Sequence, residues 1–128
     1  MTTLATMRSV ILSAMLVTAL SAPASADGYP VNGAWGQSTS TDKGAIDCGG
    51  KRVITFSGNQ RQDSNGGVPA YRNKTVTQVS SSNYRVVDEF TTGQISDGRT
   101  SYTLQKIDDD HIAMQLQQGG TIKLQRCK

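Results

Sequence analysis

In Asn83-Tyr84-Arg85-Val86-Val87-Asp88-Glu89-Phe90-Thr91-Thr92, Tyr84, Val86 and Phe90 fall on one face of an extended chain, with Asp88 among them. Side chains of a strand point to opposite faces in turn, so this spacing predicts a half-buried β-strand with an acid on its inner side. The same period of two recurs downstream. Residues 100–107 bring Tyr102 and Leu104 together, 111–117 align Ile112, Met114 and Leu116, and 121–127 align Ile122 and Leu124. Upstream, 33–39 surround Trp35, 51–57 alternate Ile54 and Phe56 against Val53 and Thr55, and 74–79 form a Thr/Val run. After residue 27 no apolar period of 3.6 persists, which argues against helices.

The connections predict hairpins. Ser80-Ser81-Ser82, Ser96-Asp97-Gly98, Asp108-Asp109-Asp110 and Gln118-Gly119-Gly120 are short and rich in turn formers. The last five strands therefore form an up-and-down meander. The expected class is all-β: a small antiparallel up-and-down barrel of seven to eight strands closed by one disulfide, with a two-sheet sandwich as the alternative. Closure is favoured because it removes exposed edges.

Residues 1–26 have the pattern of a cleaved secretory signal. Arg8 is the only charge in a short leading segment, an apolar run follows from Val10 to Leu20, and Ala24-Ser25-Ala26 is a small-x-small cleavage pattern. The run is too short for a spanning helix of ~20 residues, and no second hydrophobic span follows. Residues 27–128 then form one domain, expected to be soluble and either periplasmic or secreted. Losing Arg8 lowers the net charge from +3 to +2, with 12 basic side chains against 10 acidic ones. The signs are interspersed along the chain, so a nucleic-acid partner is not expected. Cys48 and Cys127 predict one bridge in an oxidising compartment, worth up to ~4–5 kcal/mol for a loop of this size. Two free redox thiols are the other option, but the Cys-x-x-Cys spacing of such sites is missing.

Between these strands, residues 58–73 show no strand pattern and predict a long loop. Its Arg61, Tyr71 and Arg72 are residue types favoured at binding hot spots, which makes it a candidate partner-binding surface; the other option is a loop without a task. Asp88 and Lys106 share inward faces of adjacent strands, and a buried charge needs a partner. They are expected to pair as a rim salt bridge or as polar anchors at a ligand mouth. His111, the only histidine, follows three aspartates, yet the spaced ligands of a calcium loop are missing. No Gly-x-Ser-x-Gly elbow is present, so neither a metal site, a cofactor nor an enzyme is expected.

Trp35 lies on the first strand and Arg126 on the inner face of the last. In a closed meander these strands are neighbours, and a guanidinium resting on the indole is worth ~0.5–2 kcal/mol. Gly33-Ala34-Trp35, answered by a basic residue late in the last strand, resembles the signature of calycin barrels, which include lipocalins and the small periplasmic metalloprotease inhibitors of bacteria. The resemblance covers the two ends of the domain. It implies an eight-stranded antiparallel barrel in which Trp35 and Arg126 are structural. The chain departs from lipocalins in showing no flanking helix. It departs from the inhibitors in cysteine placement, so no inhibitory tail is carried over to residues 27–32.

The functional expectation is an exported, non-enzymatic binding protein, an inhibitor or modulator of an envelope or secreted hydrolase acting through barrel-end loops. A carrier of a small apolar ligand and a structural envelope protein are the alternatives. The partner is thus an unidentified protein or a small apolar molecule.

Overall fold

In the computed structural model, residues 28–128 are described; the predicted signal, residues 1–26, lies outside them. The alternation closes into a barrel of eight antiparallel strands. They are β1 (Gly33–Gln37), β2 (Val53–Ser57), β3 (Gln60–Asp63), β4 (Tyr71–Gln78), β5 (Asn83–Phe90), β6 (Gly98–Lys106), β7 (His111–Leu116) and β8 (Thr121–Arg126). Each strand pairs with its sequence neighbours, and β8 returns to β1 through Trp35 opposite Arg126. No helix occurs among the described residues, so none there is long and apolar enough to cross a membrane. This architecture is compatible with a calycin-like barrel.

The core is the inner face predicted from the period of two. Trp35, Ile54, Phe56, Val86, Tyr102, Leu104, Ile112, Met114, Ile122 and Leu124 fill it and are almost wholly buried. An eight-stranded barrel is just wide enough to be packed by its own side chains, and this one is. Tyr29 and Val31, ahead of β1, pack against the same cluster.

The two ends differ. Connections 38–52, 64–70, 91–97 and 117–120 gather at one end, the mouth. Turns 58–59, 79–82 and 107–110 gather with the C-terminus at the other, the base. At the base, the Arg126 guanidinium lies 4.4 Å from the centre of the Trp35 ring, and the indole N–H donates to the Asn32 carbonyl at 2.9 Å. Arg126 in turn donates to the Asp109 carbonyl, so its charge is held in place on the ring.

The β1–β2 connection runs down the outside of β8 and returns. Gln125, buried although it faces outward, donates its amide to the carbonyls of Asp42 and Gly44, at 2.9 and 3.0 Å. Ile46 then bridges to Cys127, and Cys48 bonds to Cys127 across 79 residues. Gly36 makes room for this strap: a Cβ there would come within 2.5 Å of the Cys48 sulfur.

Two expectations need correction. Residues 58–73 are not one long loop. They hold β3 and the start of β4, joined by a short connection. The inward residues of β3 are Arg61 and Asp63, opposite Phe56 and Ile54, so its alternation is carried by charge instead of apolar surface. β4 also begins earlier than its Thr/Val run, at Tyr71. A bulge between Asn73 and Thr75 shifts its phase and hides the period.

Candidate functional site

Asp88 sits on the inner face of β5 with no exposure at all, and a bare carboxylate there would be costly. Four donors converge on it. Arg61 Nε donates to Oδ2 at 2.8 Å and the Tyr102 hydroxyl to the same oxygen at 3.1 Å. The Tyr29 hydroxyl donates to Oδ1 at 2.9 Å, and Asn73 Nδ2 makes a longer contact of 3.4 Å to that oxygen. Burial, and then the neighbouring Asp88 carboxylate, push both phenols well above their ordinary pKa, which keeps them protonated as donors. Burial opposes the charge on Arg61, but contacts with Tyr102 and Asp88 outweigh it and hold its pKa above the ordinary arginine value.

The expected Asp88–Lys106 pair does not form. Antiparallel register sets Asp88 opposite Thr100, while Lys106 lies beyond the last β5 pairing, at the base. Six residues of strand separate those levels, about 20 Å. Lys106 is exposed and, among the described residues, its ammonium approaches the Tyr84 ring at 5.9 Å and no carboxylate. Arg61 takes its place as the partner. Far from sitting on an exposed loop, Arg61 is 4% exposed.

Above this polar centre the mouth opens into a cavity of about 360 Å³. Arg61 forms part of its lining, with Tyr71, Phe90, Tyr102, Met114 and Ile122 as apolar and aromatic walls. The Arg61 guanidinium lies 3.8 Å from the centre of the Tyr71 ring and 5.1 Å from that of Tyr102. Tyr71 meets Phe90 edge to face, with centroids 5.5 Å apart. On the rim, Arg52 grips Asp63 with two bonds of 3.0 and 2.6 Å. Burial works to raise the Asp63 pKa, but hydrogen bonds from Arg52 and the Asn65 N–H outweigh it and hold this carboxyl below the usual range. Arg99, mostly exposed, also reaches the cavity and comes no nearer to Glu89 than 3.8 Å.

A larger and more open recess of about 610 Å³ runs along the outside of β3–β5 and shares Tyr71 and Phe90. Arg72, the third residue of the expected partner-binding loop, lies there, exposed and opposite Glu89. The mouth is the better candidate, because there a buried charge is already positioned and desolvated. Tyr71 belongs to both; Arg61 lines only the mouth.

No family model, curated protein or solved structure matches the chain.

Tyr29 lies outside any strand pattern and carries no signal in the sequence, yet it supplies one of the Asp88 donors. His111 begins β7. It is buried on the outer face of β7 under residues 38–41, with Nδ1 2.8 Å from Asp108 Oδ1. Among the described residues no group of three or more His, Cys, Asp or Glu is placed to hold a metal. Asn73-Lys74-Thr75 fits the acceptor pattern for N-glycosylation, but Asn73 is 3% exposed and its amide is engaged by the Thr75 carbonyl and Asp88.

Proposed function

We propose that this is an exported, non-enzymatic binding protein that takes a compact ligand into the mouth of its barrel. The observation that carries it is the 360 Å³ cavity with aromatic walls and a buried arginine in its lining. That volume lies at the small end of the ~300–1,000 Å³ typical of small-molecule sites. The filled interior below leaves no room for a long ligand, so binding is confined to the mouth. Export is supported by the Cys48–Cys127 bond, which belongs in an oxidising compartment.

This carrier reading displaces the hydrolase-inhibitor expectation, because Arg61, one of the side chains assigned to a protein-binding loop, is inside the barrel. An inhibitor working from the rim keeps only exposed groups such as Arg72.

Native mass spectrometry of protein purified from its own host tests the proposal. Leu116 faces the cavity from the end of β7 and is 37% exposed, so Leu116→Trp fills the mouth without touching the core. Wild-type protein is expected to carry an added small mass and the variant to lose it while keeping its circular dichroism. A wild type without any adduct, or an adduct retained by the variant, contradicts the proposal.

A further inference from the structure

Arg61 has more donors than Asp88 uses. Among the described residues its only hydrogen bond runs from Nε to Asp88 Oδ2, at 2.8 Å. The guanidinium also acts on the Tyr29 hydroxyl, but among the described residues neither Nη atom makes a bond of good hydrogen-bond geometry, and neither is among the fully buried unpartnered atoms, so both retain contact with the space around them. Arg61 lines the mouth cavity, and the Asp88 carboxylate lies outside its lining. The guanidinium face is occupied by the Tyr71 and Tyr102 rings, leaving the Nη edge for a ligand.

From this arrangement we infer that the mouth binds a compact aromatic carboxylate, with its two oxygens on the Nη1–Nη2 edge of Arg61 and its ring against the wall that Phe90 and Met114 form. The inference rests on the proposed mouth site and names its ligand class. A guanidinium edge presents two parallel N–H groups at the spacing of the two carboxylate oxygens, and such paired bonds are short and strong. The guanidinium is already fixed by Asp88 and two rings, so little side-chain entropy is lost on binding.

Charge agrees. The cavity is lined by three arginines, Arg52, Arg61 and Arg99, against one carboxylate, Asp63, leaving 3 − 1 = +2; counting Asp88 behind Arg61 leaves +1. The charge left over is that of Arg99, whose carboxylate neighbour Glu89 lies 3.8 Å away and is held more closely by Lys74, at 2.9 Å, so an entering carboxylate meets a positive mouth. A cation gains nothing there, and a neutral ligand leaves the Nη edge unmatched. The walls suit a flat apolar body, since Tyr71 and Phe90 already meet edge to face.

The test is a titration followed through backbone amide shifts of the isotope-labelled protein, with benzoate, benzamide and phenyl phosphate as probes. Benzoate is expected to bind saturably in the low-millimolar range, shifting residues of the mouth, and about tenfold more tightly than benzamide. The preference should vanish in the double variant Arg61→Met, Asp88→Leu. That variant replaces the pair with apolar groups and avoids stranding one charge, so it is expected to fold. Lys106, at the base, serves as a control: Lys106→Ala should leave the ratio unchanged.

Equal affinity for benzoate and benzamide at the mouth overturns the carboxylate inference and leaves the mouth site standing. Phenyl phosphate binding about tenfold tighter than benzoate overturns it in favour of a phosphate ligand. Absence of saturable shifts with benzoate at roughly 10 mM overturns it as well. The mouth site itself fails if the host-purified protein carries no adduct or if Leu116→Trp retains it, which is a separate measurement.

Discussion

Asp63 shows how a rim contact couples folding to pH. Its carboxyl is held below the usual range by Arg52 and the Asn65 N–H, so the folded protein releases this proton more readily than the unfolded chain. The stability it supplies is present above the unfolded pKa of about 4 and is lost as pH falls through the lower folded value. In Asp63→Asn, urea melts should show a loss of about 1–3 kcal/mol at neutral pH, the range for a hydrogen bond to a charged group. They should also show a flatter decline in acid than wild type. An unchanged acid profile would mean that Arg52 does not hold this carboxylate. The inward position of Asp88 was legible from its spacing to Val86 and Phe90, and so was its need of a partner. The identity of that partner was not, since Arg61 is the inward residue of a strand with no apolar residue to reveal it.

At the scale of elements, strands with apolar inner faces were legible and the two that depart from that rule were not. β5 to β8 announce themselves through Tyr84, Val86, Leu104, Met114 and Leu124. β3 has the same period, carried by Arg61 and Asp63, and no hydrophobicity count finds it. β4 has an inner face of Tyr71, Asn73 and Val76, split by its bulge. Where β5 meets β6, Phe90 lies over Gly98, and a Cβ there would come within 2.6 Å of the ring. Gly98→Ala is therefore expected to cost about 1–3 kcal/mol through overpacking. Most of that cost should be recovered in the Phe90→Leu background, which shortens the opposing side chain. Equal losses in both backgrounds, read from denaturant midpoints, would show that the ring is not what Gly98 accommodates.

The whole molecule is a closed surface whose first and last strands must meet. Trp35 opposite Arg126 closes the ladder, and the strap from Ile46 to Cys48 fastens it from outside. The closing pair and the bridge were legible because both rest on the two ends of the domain being neighbours; the excursion that carries Cys48 down the outer face of β8 was not, as it has no regular pattern. Cys48→Ser is expected to lower stability by about 2–5 kcal/mol with the strands retained, so thermal melting should fall while the β-type circular dichroism at low temperature persists. A melting curve unchanged from wild type would mean that the strap contributes nothing.

The barrel's interior is organised by a buried ion pair, on which the packing beneath the mouth and the proposed ligand edge both depend. A double-mutant cycle with Arg61→Met, Asp88→Leu and their combination, measured by urea unfolding at neutral pH, tests this directly. Each single variant strands one buried charge and should lose about 3–5 kcal/mol, while the combination, with no charge left unpaired, should lose less than either. Losses that simply add would contradict the pair at the centre of the barrel.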